Sequence, residues 1–175
     1  MGFLRFIGVV NAAIWFGGSV VCSLVMLPGF FTGPMKAVLP PPYNGAAAQV
    51  IIERYFWFQH ICAAVALLHL WAERLYTNRA GERITASVLA ILFGLGLAGG
   101  FWLQPKLQQL YLAKYRAPSA EQRAEAAADF RTWHAVSRVA DTVMLPALLF
   151  YLWRLTSASH PSRLPGFRKL SVGWK

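Results

Sequence analysis

The chain has 175 residues, enough for one domain and too few for two of ordinary size. Apolar residues make up 57% of it and charged residues only 14%, against about a quarter in soluble domains, and this composition excludes an ordinary soluble protein. The formal net charge of +10 comes mostly from basic residues at the ends of long apolar blocks, so we expect contact with anionic lipid and no nucleic-acid partner.

Four apolar blocks follow one another along the chain. Each is close to the ~20 residues that a helix needs to cross a ~30 Å hydrocarbon core. Because backbone groups in lipid must be hydrogen-bonded within their own segment, each block is predicted to be a helix. The fold class is therefore all-α, an integral membrane four-helix bundle. The single transmembrane domain, 1–175, has predicted spans at about 3–27, 51–76, 84–104 and 132–155, followed by a basic tail at 156–175.

The segments between the predicted spans differ in character. Residues 28–49 contain five prolines and several glycines, so we expect no single regular helix there and a position on the outer membrane surface. Between spans three and four, Pro118 and Ser119 give a helix stop and a new N-cap, and Gln122 completes a capping box. We therefore predict that spans three and four extend beyond the bilayer as a helical hairpin that turns near 117–119.

The distribution of basic residues predicts the orientation. Four spans place both termini on the same side of the membrane. The short second loop, with Arg79 and Arg83, and the C-terminal tail carry little or no opposing acid, whereas the first loop has a single basic residue, Lys36, before Arg54. Positive-inside counting therefore predicts a multi-pass protein of the bacterial inner membrane with both termini in the cytoplasm.

Several polar side chains fall inside the predicted spans. Charged and imidazole groups within a span are costly and usually face the protein interior, so each is a candidate functional residue. Span four carries four such polar residues, and their spacing places all of them on one face of the helix. These residues are His134, Ser137, Arg138 and Asp141.

Spans one and two add further polar residues that could meet this face. Glu53 and His60 are seven residues apart and share one face of span two, while Asn11 lies in span one. In a purely structural interpretation, Glu53 pairs with Arg138, and Asn11 or His60 holds Asp141. Such contacts would fix the helix register and leave no buried charge unpaired. The predicted intramembrane polar network consists of Asn11, Glu53, Ser137, Arg138 and Asp141.

A ligand site is the alternative interpretation of the same residues. Imidazoles from two helices, His60 and His134, could hold the iron of a haem b in the bundle core. The same two histidines could instead hold Cu(I), with Cys22 and Met26 as soft ligands. A third alternative is a proton or ion path through Glu53, His60 and Asp141. None of these alternatives is supported by a tight motif such as H-x-x-x-H or C-x-x-C.

Three sequence segments resemble a known family. They are Asn11-Ala-Ala-Ile-Trp-Phe-Gly-Gly-Ser, Glu53-Arg-Tyr-Phe, and Phe130-Arg-Thr-Trp-His-Ala-Val-Ser-Arg-Val-Ala-Asp141. They resemble the bacterial membrane family called domain of unknown function 4149. That family is similar to the eukaryotic transmembrane protein 205 and, more distantly, to copper-resistance D-type proteins and a haem-containing membrane oxidase. The resemblance implies a four-helix membrane fold and supplies no activity.

The fourth span departs from the pattern of that family at one position. The family tends to read His-x-x-Ser-x-x-x-Asn there, and this chain matches it at His134 and Ser137 but has Asp141 in the last place. The departure puts an ionisable group where an amide is usual.

The sequence contains no nucleophile–base pair and no carboxylate pair of the kind that catalysis uses. The interpretation it favours is a non-enzymatic polytopic inner-membrane protein, either alone or as an accessory subunit of a larger membrane complex. Its expected partners are the lipid bilayer and, in the second case, other membrane subunits. The haem, copper and proton-path interpretations, and an enzyme, are the alternatives.

Overall fold

A computed structural model of the chain describes residues 2–77 and 83–157, and within these ranges it contains helices and no strand. The α-helices of this part are α1 (Gly2–Val20), α2 (Leu27–Gly29), α3 (Gly33–Val38), α4 (Tyr43–Thr77), α5 (Arg83–Leu97), α6 (Gln104–Arg116) and α7 (Ala120–Ser157). Two π-helical segments, π1 (Val21–Met26) and π2 (Ala98–Leu103), join α1 to α2 and α5 to α6. Arg79 and the predicted tail beyond Ser157 lie outside the described residues.

Four continuous helical spans confirm the predicted membrane architecture. They run over Phe3–Gly29, Tyr43–Tyr76, Arg83–Arg116 and Ala120–Ser157, and each is long and apolar enough to cross a bilayer. In the most apolar stretch of 18 residues of each span, only 17–33% of the residues are buried inside the bundle. The remaining apolar surface faces outward, where lipid covers it in a membrane protein.

The helix that contains the second span begins earlier than the predicted span. Helix α4 starts at Tyr43 and not near residue 51, and the segment before it contains the short helix α3. The prolines are compatible with this helix because they precede its first turn. The N–H groups at that position have no partner within the helix, so no intrahelical hydrogen bond is lost. The backbone N–H of Ala46 already donates to the carbonyl of Pro42, at 3.1 Å.

The spans form a ring in which each helix touches two neighbours. Helix α1 packs on α4 and α7, and α5 packs on the same two helices, so α4 and α7 lie on opposite corners. The guanidinium of Arg5 donates to the carbonyl oxygen of Leu155 at 2.8 Å. This contact places the start of α1 and the end of α7 at one end of the bundle, as four antiparallel spans require.

Trp15 fills the centre of the bundle. Its side chain is 1% exposed, and its ring meets the edge of Tyr151 with centroids 6.5 Å apart. Its indole Nε1–H donates to Oε1 of Gln59 at 2.6 Å, so α1 is tied to α4 by a buried polar contact. The other buried apolar residues of this core are Ala12, Cys22, Tyr55, Cys62, Ala63, Ala66, Leu70, Leu89, Leu92, Met144 and Leu148.

The predicted helical hairpin between spans three and four is confirmed. Helix α6 ends at Arg116 and α7 begins at Ala120, and the backbone N–H of Gln122 donates to Oγ of Ser119 at 3.1 Å, which is the predicted N-cap contact. The 38 residues of α7 extend for about 57 Å, nearly twice the ~30 Å hydrocarbon core. A helix of this length that crosses a bilayer extends beyond the hydrocarbon core.

The projecting helices have their own packing. The Tyr111 hydroxyl donates to the carbonyl of Pro42 at 2.7 Å, and its ring packs on Phe130 with centroids 5.7 Å apart. The Lys106 ammonium lies 3.9 Å from the ring centroid of Trp133, a cation–π contact between α6 and α7. We call this unit, formed by the start of α4, by α6 and by the first half of α7, the helical cap.

Candidate functional site

The two π-helical segments mark the end of the spans nearest the helical cap. Each has a backbone bond of the i→i−5 type at its end: Leu27 N–H to the Cys22 carbonyl in π1, and Gln104 N–H to the Gly99 carbonyl in π2. They lie on α1 and α5, which occupy opposite corners of the ring. π-helical turns occur frequently at functional sites, and polar side chains surround both of these segments.

Around π1 the structure assembles a group of polar side chains inside the bundle. The Ser23 hydroxyl donates to Oδ1 of Asp141 at 3.0 Å, joining π1 to α7. The buried Tyr55 of α4 brings its hydroxyl beside those of Ser19 and Ser23, and within the described residues it makes no hydrogen bond of standard geometry. Asp141 also lies near Cys22 and Tyr55. We call Ser19, Cys22, Ser23, Tyr55 and Asp141 the core polar cluster.

A polar stripe on α1 leads into this cluster. Asn11, Trp15, Ser19 and Ser23 follow one another at intervals of four residues, which places them on one helical face. The Asn11 amide donates to the carbonyl of Cys62 at 3.0 Å, and the Ser19 hydroxyl donates to the carbonyl of Trp15 at 2.8 Å. The stripe therefore faces the bundle interior along most of span one. The sequence contained this signal, but Ser19 and Ser23 were not among the predicted site residues.

The predicted partners of Asp141 were wrong. Asn11 or His60 was expected to hold this carboxylate, whereas its hydrogen-bond donor is Ser23. Asn11 lies twelve residues before Ser23, about 18 Å along the helix axis, so it sits at a different depth. His60 is on a different face of α4 from Tyr55 and packs against π2, where its ring centroid is 5.2 Å from that of Phe101.

The predicted ion pair of Glu53 with Arg138 is also absent from the part of the chain that the structure describes. Both side chains are exposed. Their helices, α4 and α7, stand at opposite corners of the ring and are not neighbours. Ser137, the remaining member of the predicted polar network, is half-buried on α7.

Around π2 the structure forms a small cleft, which we call the α4–α5 cleft. Its volume is about 80 Å³. The Nε2 atom of His60 is buried and has no hydrogen-bond partner within the described residues. A Cβ at Gly100 would lie 2.8 Å from Cε1 of His60, so the glycine makes room for the imidazole. The cleft is lined by Glu53, Phe56, Trp57, His60, Gly100, Phe101 and Gln104.

The predicted haem and copper ligands have separate surroundings. His134 is exposed and stacks on Phe130, with ring centroids 5.6 Å apart and planes inclined by 9°. Cys22 belongs to the core polar cluster, and Met26 is 44% exposed on π1. Among residues 2–77 and 83–157, no three His, Cys, Asp or Glu side chains lie together as a metal site. Ligation by His60 and His134 stays a prediction.

The fold and the core polar cluster define a class: a four-span integral membrane protein with ionisable and hydroxyl groups inside its bundle. Within this class, the chain belongs to the family described as Domain of unknown function (DUF4149), whose model matches residues 10–116, more than half of the chain. The matched residues include π1, π2 and the α4–α5 cleft but not Asp141. The comparisons with curated proteins and with solved structures gave no match.

Proposed function

We propose that the protein is a non-enzymatic, multi-pass protein of the bacterial inner membrane, with both termini in the cytoplasm, in which Asp141 takes up and releases a proton or a small cation. One observation supports this function above the others. Asp141, an ionisable group within the fourth span, contacts Ser23 on the π-helical segment of the neighbouring helix. An ionisable group in a span costs about 2.5–3.5 kcal/mol at the bilayer centre and usually marks an ion pathway or proton relay.

A purely structural role would not require a carboxylate at this position. Asparagine has nearly the same size, and its amide oxygen can accept the same bond from Ser23 without a charge in the membrane. The carboxylate adds the capacity to exchange a proton or to bind a cation. The Tyr55 hydroxyl lies beside Ser19 and Ser23 and makes no hydrogen bond of standard geometry within the described residues, and it is a neighbouring donor and acceptor for such an exchange.

The route differs from the predicted path through Glu53, His60 and Asp141. Glu53 and His60 line the α4–α5 cleft, whereas Asp141 belongs to the core polar cluster. We therefore assign the exchange to Asp141, with Ser23 and Tyr55 beside it, and leave Glu53 and His60 out of the route.

Proton uptake into liposomes tests the proposal. The purified full chain is reconstituted with a pH-sensitive dye inside, and uptake is started by a potassium diffusion potential. We expect Asp141→Asn to reduce the rate at least tenfold, because the amide keeps the contact with Ser23 but cannot exchange a proton. Asp129→Asn, which removes an exposed acid from the same helix, is the matched control and should leave the rate unchanged. Equal rates for the wild type and Asp141→Asn would contradict the proposal.

The haem or copper function remains the second candidate, because the buried Nε2 of His60 has no partner in the described structure. An imidazole nitrogen in that state is free to bind a metal. The measurement is the visible spectrum and copper content of the purified chain, in the wild type and in His60→Ala. A colourless, copper-free wild-type protein would exclude both the haem and the copper function.

An accessory role in a larger complex is compatible with either candidate. The helical cap supports it, because the first half of α7 leaves charged side chains such as Glu121, Arg123 and Glu125 exposed outside the bilayer. Co-purification of a stoichiometric membrane partner in mild detergent tests this role, and a lone chain of stable size contradicts it.

A further inference from the structure

We propose that the α4–α5 cleft binds a primary ammonium group, presented by the headgroup of an aminophospholipid such as phosphatidylethanolamine. This site is separate from Asp141 and does not depend on the function proposed for it.

The cleft lies at the depth of lipid headgroups. Glu53 precedes Glu73 by twenty residues on the continuous helix α4, about 30 Å along its axis, which is one hydrocarbon thickness. Glu73 and Arg74 close the other end of the apolar stretch of this span. A lipid of the leaflet nearest the helical cap would therefore bring its headgroup to the level of Glu53.

Three hydrogen-bond acceptors line the cleft. An ionised Glu53 carboxylate accepts hydrogen bonds and donates none. The side-chain carbonyl of Gln104, a residue that is 8% exposed, is the second acceptor. His60 supplies the third when its ring carries the proton on Nδ1, and its buried Nε2 has no partner within the described residues. A primary ammonium has three N–H donors and no acceptor, so the two sets match in number and in kind.

The walls of the cleft also favour a cation. Phe56, Trp57 and Phe101 present aromatic rings, whose faces attract ammonium groups. The lining residues include one acid, Glu53, and neither lysine nor arginine. An anionic group such as a phosphate would meet a carboxylate there with no basic partner, so the site selects the ammonium end of a zwitterionic headgroup.

The opening of the cleft indicates a lipid as the source of the ammonium group. Trp57 is 59% exposed and Phe101 is 71% exposed, and both belong to the apolar flank that the bundle presents to the bilayer. A ligand entering past these rings arrives laterally from the membrane. A volume of about 80 Å³ admits the amine end of a headgroup and leaves the acyl chains outside, along the exposed surface of the span.

A pair of short-chain lipids tests this site. The full chain in detergent is titrated by calorimetry with dihexanoyl phosphatidylethanolamine and with the matching phosphatidylcholine. The trimethylammonium of the second lipid keeps the charge but has no N–H donor, so we expect binding at least tenfold weaker. Water-soluble phosphoethanolamine serves as the third ligand. If it binds as tightly as the lipid, the ammonium site stands and a lipid source is excluded.

Three variants connect that binding to the cleft. Glu53→Gln removes the charge at an exposed position where folding is little affected, and we expect at least tenfold weaker binding of phosphatidylethanolamine. Gly100→Ala should displace His60 and weaken binding as well, because its Cβ would overlap the imidazole. Glu121→Gln, an exposed acid on α7, should have no effect. Equal affinity for the two lipids, or unchanged affinity in Glu53→Gln, would overturn the assignment.

Discussion

Trp15 shows at the residue scale how one side chain combines packing with a polar contact. It lies in the bundle centre, donates to Gln59 and meets the edge of Tyr151. In lipid, packing and hydrogen bonds between helices hold a bundle together, since the lipid tails are as apolar as the helix surfaces. A large, fully packed indole with a satisfied N–H supplies both.

We expect Trp15→Ala to destabilise the folded bundle by about 3–5 kcal/mol, the usual cost of removing a large buried aromatic side chain. Trp153→Ala is the matched control, because Trp153 is exposed on the lipid-facing side of α7. Denaturant-induced unfolding in detergent measures both changes. Similar midpoints for the two variants would show that Trp15 does not hold the core.

Part of the candidate site could be predicted from residue type alone. Asp141 stood out because a carboxyl group in a span is costly. Its partner Ser23 did not, because serine in a membrane helix is ordinary and usually bonds its own backbone, as Ser19 does here. Pairing across helices depends on depth and on which faces meet, and neither is given by a single sequence.

At the scale of elements, the structure links the helical cap to the second span. The Tyr111 hydroxyl donates to the carbonyl of Pro42, just before α4, and its ring packs directly against Gly45. A Cβ at Gly45 would overlap the Tyr111 hydroxyl, so the glycine is needed for the close approach of α6 to the start of α4.

Gly45→Ala should therefore loosen the cap, at a cost of about 1–3 kcal/mol for an overpacked contact. Hydrogen exchange of the backbone amides in α6 measures this loosening, and we expect faster exchange in the variant. Gly33→Ala is the control, since a Cβ there meets open space. Unchanged exchange in Gly45→Ala would contradict this role of the glycine.

The sequence predicted a helix end where it has a capping residue. It did not do so where it has only prolines that interrupt a helix. Pro118 and Ser119 placed the hairpin turn correctly, because a proline stop and a serine cap specify both the end of one helix and the start of the next. The prolines at 40–42 show only that a helix does not pass through them. Helix α4 starts directly after them. Each π-helical segment ends two residues before a proline, Pro28 or Pro105, and π adjustments are found beside prolines in membrane helices.

At the scale of the whole molecule, the order of helices around the ring decides which predicted contacts exist. Apolar blocks and their lengths were sufficient to predict four spans and an all-α bundle. They do not specify that α4 and α7 stand at opposite corners. That arrangement separates Glu53 from Arg138, and it places His60 against π2. Two polar sites result, the core polar cluster and the α4–α5 cleft.

Asp141 is, in the function proposed above, an exchangeable carboxyl group inside the bundle. Infrared spectroscopy of the reconstituted protein tests this directly, because a protonated carboxyl group has its own C=O band, which shifts when its proton is replaced by deuterium. We predict a band that shifts in D₂O, is lost in Asp141→Asn and is retained in Asp129→Asn. If the same band persists in Asp141→Asn, or does not shift in D₂O, Asp141 is not the exchanging group.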